Sequence, residues 1–181
     1  MSKLTESQPT NLNQLNVNSF DLSFSRLPGV QFFCQRIALP TVVLGETVEA
    51  SPYMNNPLEG DTLTFEALSL SFILDEDIQN YLEIYNWMTA LGFPREYAQF
   101  AQLKRPPDPS TNTNSDSLYS DLTIVLHTNK SNPNYTVSFG DVFPTSLSSI
   151  QFEASNTGME PILVDATFNF RGQFDINKVV L

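Results

Sequence analysis

Histidine and cysteine are scarce in this sequence, and their scarcity excludes most metal and nucleophilic chemistry. The chain has one histidine, His127, and one cysteine, Cys34, among 181 residues. Metal sites built from these residue types need several of them at close spacing. A lone cysteine cannot form an internal disulfide, so Cys34 is expected to be a small buried hydrophobe in a reducing compartment. Phosphate-cradling glycine motifs are absent too, so no catalytic residue, cofactor or metal site is predicted.

Basic residues and long apolar runs are also few. Nine Lys and Arg against twenty Asp and Glu give a formal net charge of -11, which argues against the basic stripe that nucleic-acid-binding proteins need. No stretch approaches the roughly 20 apolar residues of a membrane-spanning helix. Met1 to Asn18 lack the pattern of a signal peptide. We therefore expect neither specific nucleic-acid binding nor a membrane segment.

Aromatic residues, by contrast, are abundant. Fourteen Phe and six Tyr against seven Gly favour an aromatic-packed β architecture. Phe20, Leu22 and Phe24 alternate with polar residues, as in a half-buried strand. A turn at Leu27-Pro28-Gly29 is expected to join this strand to a second one as a hairpin. The further predicted strands are residues 30–39, 62–74, 122–126 and 135–139 as a second hairpin, 150–154, and 164–176 as one long strand.

One amphipathic helix is predicted. Asp75 is its N-cap candidate, and the acidic residues that follow suit the positive end of the helix dipole. The apolar residues after them are spaced three and four apart, as in a helix that buries one face, and Gly92 is expected to end it. The prediction is a mainly β fold, a sandwich or barrel of about seven or eight strands with one flanking α-helix over Asp75–Gly92.

The length of the chain indicates a single domain. Residues 1–18 are rich in Ser, Asn, Gln and Thr and are expected to form a flexible N-terminal arm, so the β domain spans residues 19–181. Residues 41–60 are expected to be mostly an extended loop with a short strand near 42–48. A loop of this length is more often functional than idle.

Several short stretches, taken in order, resemble the tail-tube proteins of contractile-tailed bacteriophages. They are Phe33 to Pro40, Gly60-Asp61 with Phe65, Asp75-Glu76, Tyr85-Asn86-Trp87, Phe143-Pro144-Thr145 and the phenylalanine-rich run Asp165 to Phe174. Related proteins build the tubes of pyocins and type VI secretion systems. In this family hexameric rings of a β-sandwich or barrel stack into a hollow tube. The resemblance therefore implies a structural virion protein that forms the tube through which DNA passes.

The resemblance also implies partners and a location. The partners are further copies of the chain and the tail sheath, baseplate, tail terminator and tape measure proteins. The place is the tail of the virion, after assembly in the host cytoplasm, and DNA passes without specific binding. Because the arm and residues 106–117 depart from the family pattern, a tube initiator or terminator of the same family remains an alternative. A ligand-binding β-sandwich is another, although most Phe residues fall on the inward parity of strands.

Three groups of site residues follow. The resemblance assigns residues 41–57 to a loop that packs between stacked rings, which gives the interface candidates Val42, Val43, Leu44, Val48, Tyr53 and Met54. The arm either lies across a neighbouring protomer or is disordered, and its candidate contacts are Leu12, Leu15 and Val17. Acidic residues on an inner wall would repel DNA, and the lumen candidates are Glu46, Glu49, Glu59 and Glu66.

Overall fold

The computed structural model describes residues 13–16, 18–92, 94–101, 118–153, 158 and 160–179. The fold is mainly β, as predicted, and the described residues contain nine strands. The strands are β1 Phe20–Phe24, β2 Cys34–Ala38, β3 Val42–Ala50, β4 Asn55–Phe65, β5 Leu68–Ile73, β6 Ser120–His127, β7 Pro133–Leu147, β8 Leu163–Asn169 and β9 Asp175–Lys178. The helices are α1 Pro28–Phe33, α2 Gln79–Gly92 and α3 Ala98–Ala101.

Strand β7 divides the main sheet into two halves. The sheet has the order β1-β6-β7-β8-β5-β2, and β9 also pairs with β7. The 15 residues of β7 pair with β6 and β9 along their first part and with β8 along their last part. We call β1-β6-β7-β9 the front half and β7-β8-β5-β2 the back half. Their side chains meet, since the rings of Phe24 in β1 and Phe168 in β8 are 5.3 Å apart, so the halves pack as a sandwich.

The core lies between the two halves, and α2 packs against it. Trp87 of α2 is buried, and its ring lies edge-on to Phe24 at 6.1 Å. The indole Nε1 donates a hydrogen bond to the carbonyl of Leu118 at 3.0 Å, which satisfies the one polar atom of a buried side chain. This bond and the aromatic contacts fix the helix on the sandwich. No described helix is long and apolar enough to cross a bilayer.

Helix α2 begins at Gln79, later than the predicted start at Asp75. The chain first makes a turn, in which Asp75 Oδ1 accepts a hydrogen bond from the N–H of Glu76 at 2.9 Å. Ile78 has a φ of 58°, a left-handed conformation that a helix interior excludes. Asn80, which is buried, donates from Nδ2 to the carbonyl of Ile73 at 2.8 Å and ties the helix to the end of β5.

The predicted hairpin near the N-terminus is wrong. The second predicted strand, residues 30–39, is divided between α1 and β2, and Pro28 opens α1 where proline is favoured. Strand β1 pairs with β6 and β2 pairs with β5, so α1 links the outer strands of the two halves. The second predicted hairpin is confirmed, since β6 pairs directly with β7.

The C-terminal run of alternating residues forms two strands instead of one. Strand β8 ends at Asn169 and β9 begins at Asp175. Gly172 turns the chain between them with a φ of 76°, a conformation that glycine adopts without strain. Alternation continues through the turn, so the pattern conceals the break. The predicted strand 150–154 is also wrong, because residues 150–153 are in no strand; residue 154 lies outside the described residues.

Replacing Phe168 by alanine tests this packing. Phe168 is fully buried and contacts aromatic rings of both α2 and the front half. We expect Phe168→Ala to lower the free energy of unfolding by ~3–5 kcal/mol through lost burial and a residual cavity, measured by urea denaturation. Phe152→Ala, which removes a side chain that is 76% exposed, is the matched control and should cost under ~0.5 kcal/mol. Equal losses for the two variants would contradict the core described above.

Candidate functional site: an exposed hairpin and two open sheet edges

Residues 42–65 form a long β-hairpin where the sequence predicts mostly extended loop. Strands β3 and β4 pair from Val42 opposite Phe65 to Ala50 opposite Asn55. No other described strand or helix packs extensively against them. At the base, the ring of Phe65 lies 5.5 Å from that of Phe174. Neither face of the outer hairpin contacts the core, so the sequence lacks the clean alternation that marks a half-buried strand. The sequence therefore predicts only a short strand near 42–48 for β3 and leaves the first part of β4 in a loop.

Two glycines determine the shape of the hairpin. The pairing register shifts between Leu44 and Glu46, so β4 contains a bulge opposite Gly45. A Cβ atom placed on Gly60 would lie 2.6 Å from the carbonyl oxygen of Gly45, which is too close for any side chain. Glycine therefore lets the strands approach here, as is common at bulges, and the bulge sets the direction of the outer half of the hairpin.

The hairpin exposes apolar side chains on both of its faces. All six interface candidates lie on it and are exposed, among them Tyr53 at the turn, which is 96% exposed, and Met54, which is 64% exposed. The alternation of β3 and the cross-strand pairs place Leu44 and Leu63 on one face. Leu58, opposite Thr47, is on the other. Leu58 and Leu63 are also exposed and extend the predicted set. Apolar surface of this kind marks interaction sites.

The four lumen candidates lie on the same hairpin or directly after it. Glu46 and Glu59 are directly opposite each other, and Glu49 is opposite Asn56. Glu66 follows β4, where its N–H donates to the carbonyl of Thr41 at 2.9 Å. Residues 41–66 contain no Lys or Arg. Like charges directly opposite on paired strands repel each other, so Glu46 and Glu59 destabilise the hairpin in the free chain.

Of the arm candidates, only Leu15 falls within the described residues, where it is exposed. Leu12 and Val17 lie outside them.

His127 and Cys34 make contacts that are typical of structural residues. Nε2 of His127 lies 2.8 Å from Oδ2 of Asp21 on the neighbouring strand. Burial raises the pKa of the Cys34 thiol to about 11, so it is protonated and weakly nucleophilic near neutral pH. Its Sγ contacts the carbonyl of Arg36 at 3.6 Å. Among the described residues, no group of three or more His, Cys, Asp or Glu could hold a metal ion.

The edge of β1 in the front half is open over a short length. Ser19 and Ser25 bond to β6 through their backbone, so Phe20, Leu22 and Phe24 point their N–H and C=O groups away from β6. Phe24 is already satisfied, because its N–H donates to Gln31 Oε1 at 3.1 Å and its carbonyl accepts from the N–H of Leu27 at 3.3 Å. Within the described residues, only Phe20 and Leu22 offer unpaired groups along this edge.

Strand β9 forms the opposite edge of the front half. The N–H of Val179 donates to the carbonyl of Asn134 in β7 at 2.9 Å. Asp175 and Asn177, which are at even spacing from Val179, therefore direct their backbone N–H and C=O groups toward β7. Ile176 and Lys178 direct theirs away from it. No described strand pairs with that side of β9. The front half thus has one short open edge at each end.

The face of the front half that points away from the core is polar. Buried Leu22, Ile124 and Val137 point inward from β1, β6 and β7, so the alternate residues of each strand point outward. Cross-strand pairs join the outward residues into two rows. One row is Ser23, Thr123, Ser138 and Asp175, and the other is Asp21, Val125, Thr136 and Asn177. Short hydroxyl, amide and carboxylate side chains dominate this surface, and neither row contains Lys or Arg.

Comparison with solved structures finds full-length similarity to chains of contractile injection systems. A chain in the cryo-EM structure of the anti-feeding prophage baseplate, 6-fold symmetrised, matches with a TM-score of 0.56 and 13% identity over 97% of this chain and 99% of that one. A chain in the tube terminating cap of the anti-feeding prophage matches with a TM-score of 0.55 and 14% identity over 98% of this chain and 100% of that one. A chain in the PVC sheath-tube complex, an extracellular contractile injection system in its extended state, matches with a TM-score of 0.52 and 14% identity over 99% of this chain and 99% of that one.

Neither the comparison with protein-family models nor the comparison with curated proteins found a match. At these low identities the structural similarity establishes the fold. The chain therefore shares its fold, along nearly its whole length, with chains of contractile injection systems.

Proposed function

We propose that this chain is a structural protomer that assembles with copies of itself into hexameric rings, which stack into a hollow tube. The observation that carries the proposal is the β3–β4 hairpin, whose two faces expose apolar side chains that no other part of the described chain covers. Such a surface is costly in an isolated protomer and is explained by contact between protomers. The match to a chain of a baseplate with 6-fold symmetry supports rings of six.

In this assembly the hairpin packs between successive rings. Val42, Val43, Leu44, Val48, Tyr53 and Met54 are the contacts that become buried, together with Leu58 and Leu63. Leu15 of the N-terminal arm, which is exposed, contacts a neighbouring protomer. The match to a tube terminating cap favours one second candidate. This is a terminator that forms a single ring and ends the tube.

The inner wall of the tube carries the surplus negative charge. The polar outer face of the front half lines most of the channel, and Glu46, Glu49, Glu59 and Glu66 contribute where the hairpins approach it. A wall of short polar and acidic side chains repels a polyanion and gives it nothing to bind, so DNA passes without specific contacts. The tube belongs to a virion tail, and its partners are the sheath, baseplate, tail terminator and tape measure proteins. This role needs no catalytic residue.

Electron microscopy of the purified protein over a concentration series tests the role directly. We expect rings at moderate concentration and tubes of increasing length at higher concentration. The double variant Val48→Ser with Tyr53→Ser should give rings that do not stack, because it removes apolar contact from the outer hairpin. Both side chains are exposed, so the far-ultraviolet circular dichroism spectrum and the melting temperature should stay close to wild type.

Phe152→Ser is the matched control, since it also removes an exposed aromatic residue elsewhere, and this variant should stack normally. Tubes of normal length from the hairpin variant would contradict the inter-ring role of the hairpin. Single rings of the wild-type chain that never stack would support the terminator. A wild-type chain that stays monomeric at every concentration would overturn the proposed function.

A charge substitution on the hairpin tests the assignment of its glutamates. Glu59→Gln removes the repulsion from Glu46 across the strands and is expected to raise the free energy of unfolding by ~0.2–1 kcal/mol at low salt. The gain should shrink as added salt screens the charges. Urea denaturation at two ionic strengths measures both effects. Glu49→Gln, whose residue is opposite Asn56, is the control and should change stability little.

The same variants separate a lumen position from a stacking position. If Glu59 faces the channel, tubes of Glu59→Gln keep the wild-type length distribution in electron micrographs. A marked change in tube length would place this residue in the contact between stacked rings and remove it from the lumen.

A further inference from the structure

An open groove of about 640 Å³ lies at one end of the back half. Residues from the end of β5, from the turn before α2 and from the chain that enters β8 form its lining. The volume is in the range of sites that hold ligands, roughly 300–1,000 Å³. The β3–β4 hairpin joins the back half at the other end of β5, near Leu68. The groove is therefore separate from the hairpin and from the open edges of the front half.

The lining of the groove is largely apolar. Leu74 and Ile162 are its deeper part and pack against the core. The N–H of Leu74 donates to the carbonyl of Ile162 at 2.8 Å, which continues the pairing of β5 with β8 beyond the strand ends. Phe152 and Pro161 also line the groove and are exposed, Phe152 by 76%. Apolar surface that a chain holds in place and leaves uncovered marks an interaction site.

Ile78 is held at the groove in a strained conformation. Its φ of 58° is left-handed, which costs a β-branched residue of order 1–3 kcal/mol. Its N–H donates to the carbonyl of Asp75 at 3.0 Å, and its carbonyl accepts from the N–H of Leu82 at 3.0 Å, so the turn before α2 imposes the conformation. Gly or Asn would adopt it at lower cost. The chain thus places an isoleucine side chain in the groove despite the strain.

The polar part of the lining is acidic. The described lining contains Asp75, Glu76 and Glu160 and no Lys, Arg or His. The segments that form the groove lie within residues 37–94 and 131–170, and neither range contains a basic residue or a histidine. The helix dipole explains Asp75 and Glu76, but Glu160 comes from the chain that enters β8. A cationic group in the groove therefore meets attraction from two sides, and an anionic group is repelled.

We propose that this groove binds a peptide segment of a different protein, in which apolar side chains are flanked by Lys or Arg. The apolar side chains pack against Ile78, Phe152 and Ile162. The basic residues pair with Glu76 and Glu160. A different protein matches better than a second copy, because twenty acidic against nine basic residues make this chain a poor source of basic segments. The site adds a partner to the proposed function and does not depend on it.

Binding of a model peptide to the whole chain tests the site. The probe is a fluorescein-labelled peptide of sequence Lys-Lys-Leu-Phe-Leu-Lys-Lys, and fluorescence anisotropy follows its binding. We expect saturable binding at low salt that weakens as added salt screens the ion pairs. The same peptide with Glu in place of Lys, or with Ser in place of Leu and Phe, should not bind, because the groove needs both the charge and the apolar contact.

Matched variants of the chain locate the site. Phe152→Ser should weaken binding by about tenfold, whereas Tyr53→Ser, which removes an exposed aromatic residue from the hairpin, should leave it unchanged. Glu160→Gln should weaken binding by about threefold, as expected for one exposed ion pair, and Glu49→Gln should not. Ile78→Asn, which suits the left-handed conformation, should keep the circular dichroism spectrum of the wild type and weaken binding.

Each other outcome contradicts the site. Absence of binding, or equal affinity of Phe152→Ser and wild type, would overturn it, since the latter indicates only general attraction of a basic peptide to an acidic protein. Equal effects of Glu160→Gln and Glu49→Gln would do the same. Loss of rings or tubes in Phe152→Ser would place a second copy in the groove and overturn the assignment to a different protein. A wild-type chain that binds the peptide but stays monomeric would overturn the proposed function and leave this inference standing.

Discussion

Strand β7 belongs to both halves of the sheet, and this sharing constrains the rest of the molecule. Its first part carries the front half and its last part carries the back half, so one bent strand holds two layers face to face around the aromatic core. The front half cannot continue into the back half anywhere else, because α1 connects their outer strands without pairing them. Open edges at β1 and β9 follow from the same topology.

The two surfaces available for assembly differ in kind. The hairpin offers apolar side chains on both faces, and its backbone groups are already paired within it. It can therefore contribute buried apolar area to a contact between protomers. The front half offers unpaired backbone groups at its two edges and a polar face between them. Hydrogen bonds to these groups would fix the direction and register of an added strand. The proposed tube would use contacts of both types, because a closed ring requires directional contacts and stacking requires a surface that projects beyond one ring.

The sequence predicted strands correctly where one face of the strand is buried and the other is exposed to solvent, as in β1 and β6. It failed where this contrast is absent or continues past a turn. The outer hairpin has no buried face, so only a short strand near 42–48 was predicted and Leu58 in β4 carries no periodic signal. Phe170 and Phe174 preserve the alternation across the Gly172 turn, which hid the division into β8 and β9. The exposed state of Phe32 and the pairing of Gln31 with Phe24 depend on tertiary contacts, which local pattern does not encode.

The shortness of the open edges limits how strongly another strand can add to them. Long exposed edges recruit any other strand, but here Gln31 and Leu27 restrict the β1 edge to Phe20 and Leu22. Each hydrogen bond of an added strand contributes a net ~0.5–1.5 kcal/mol, and association of two free protomers costs more than a few such bonds supply. A single such contact would therefore be weak. In the proposed ring each protomer would make two contacts while losing its freedom once, so ring closure together with burial of the hairpin would make assembly cooperative.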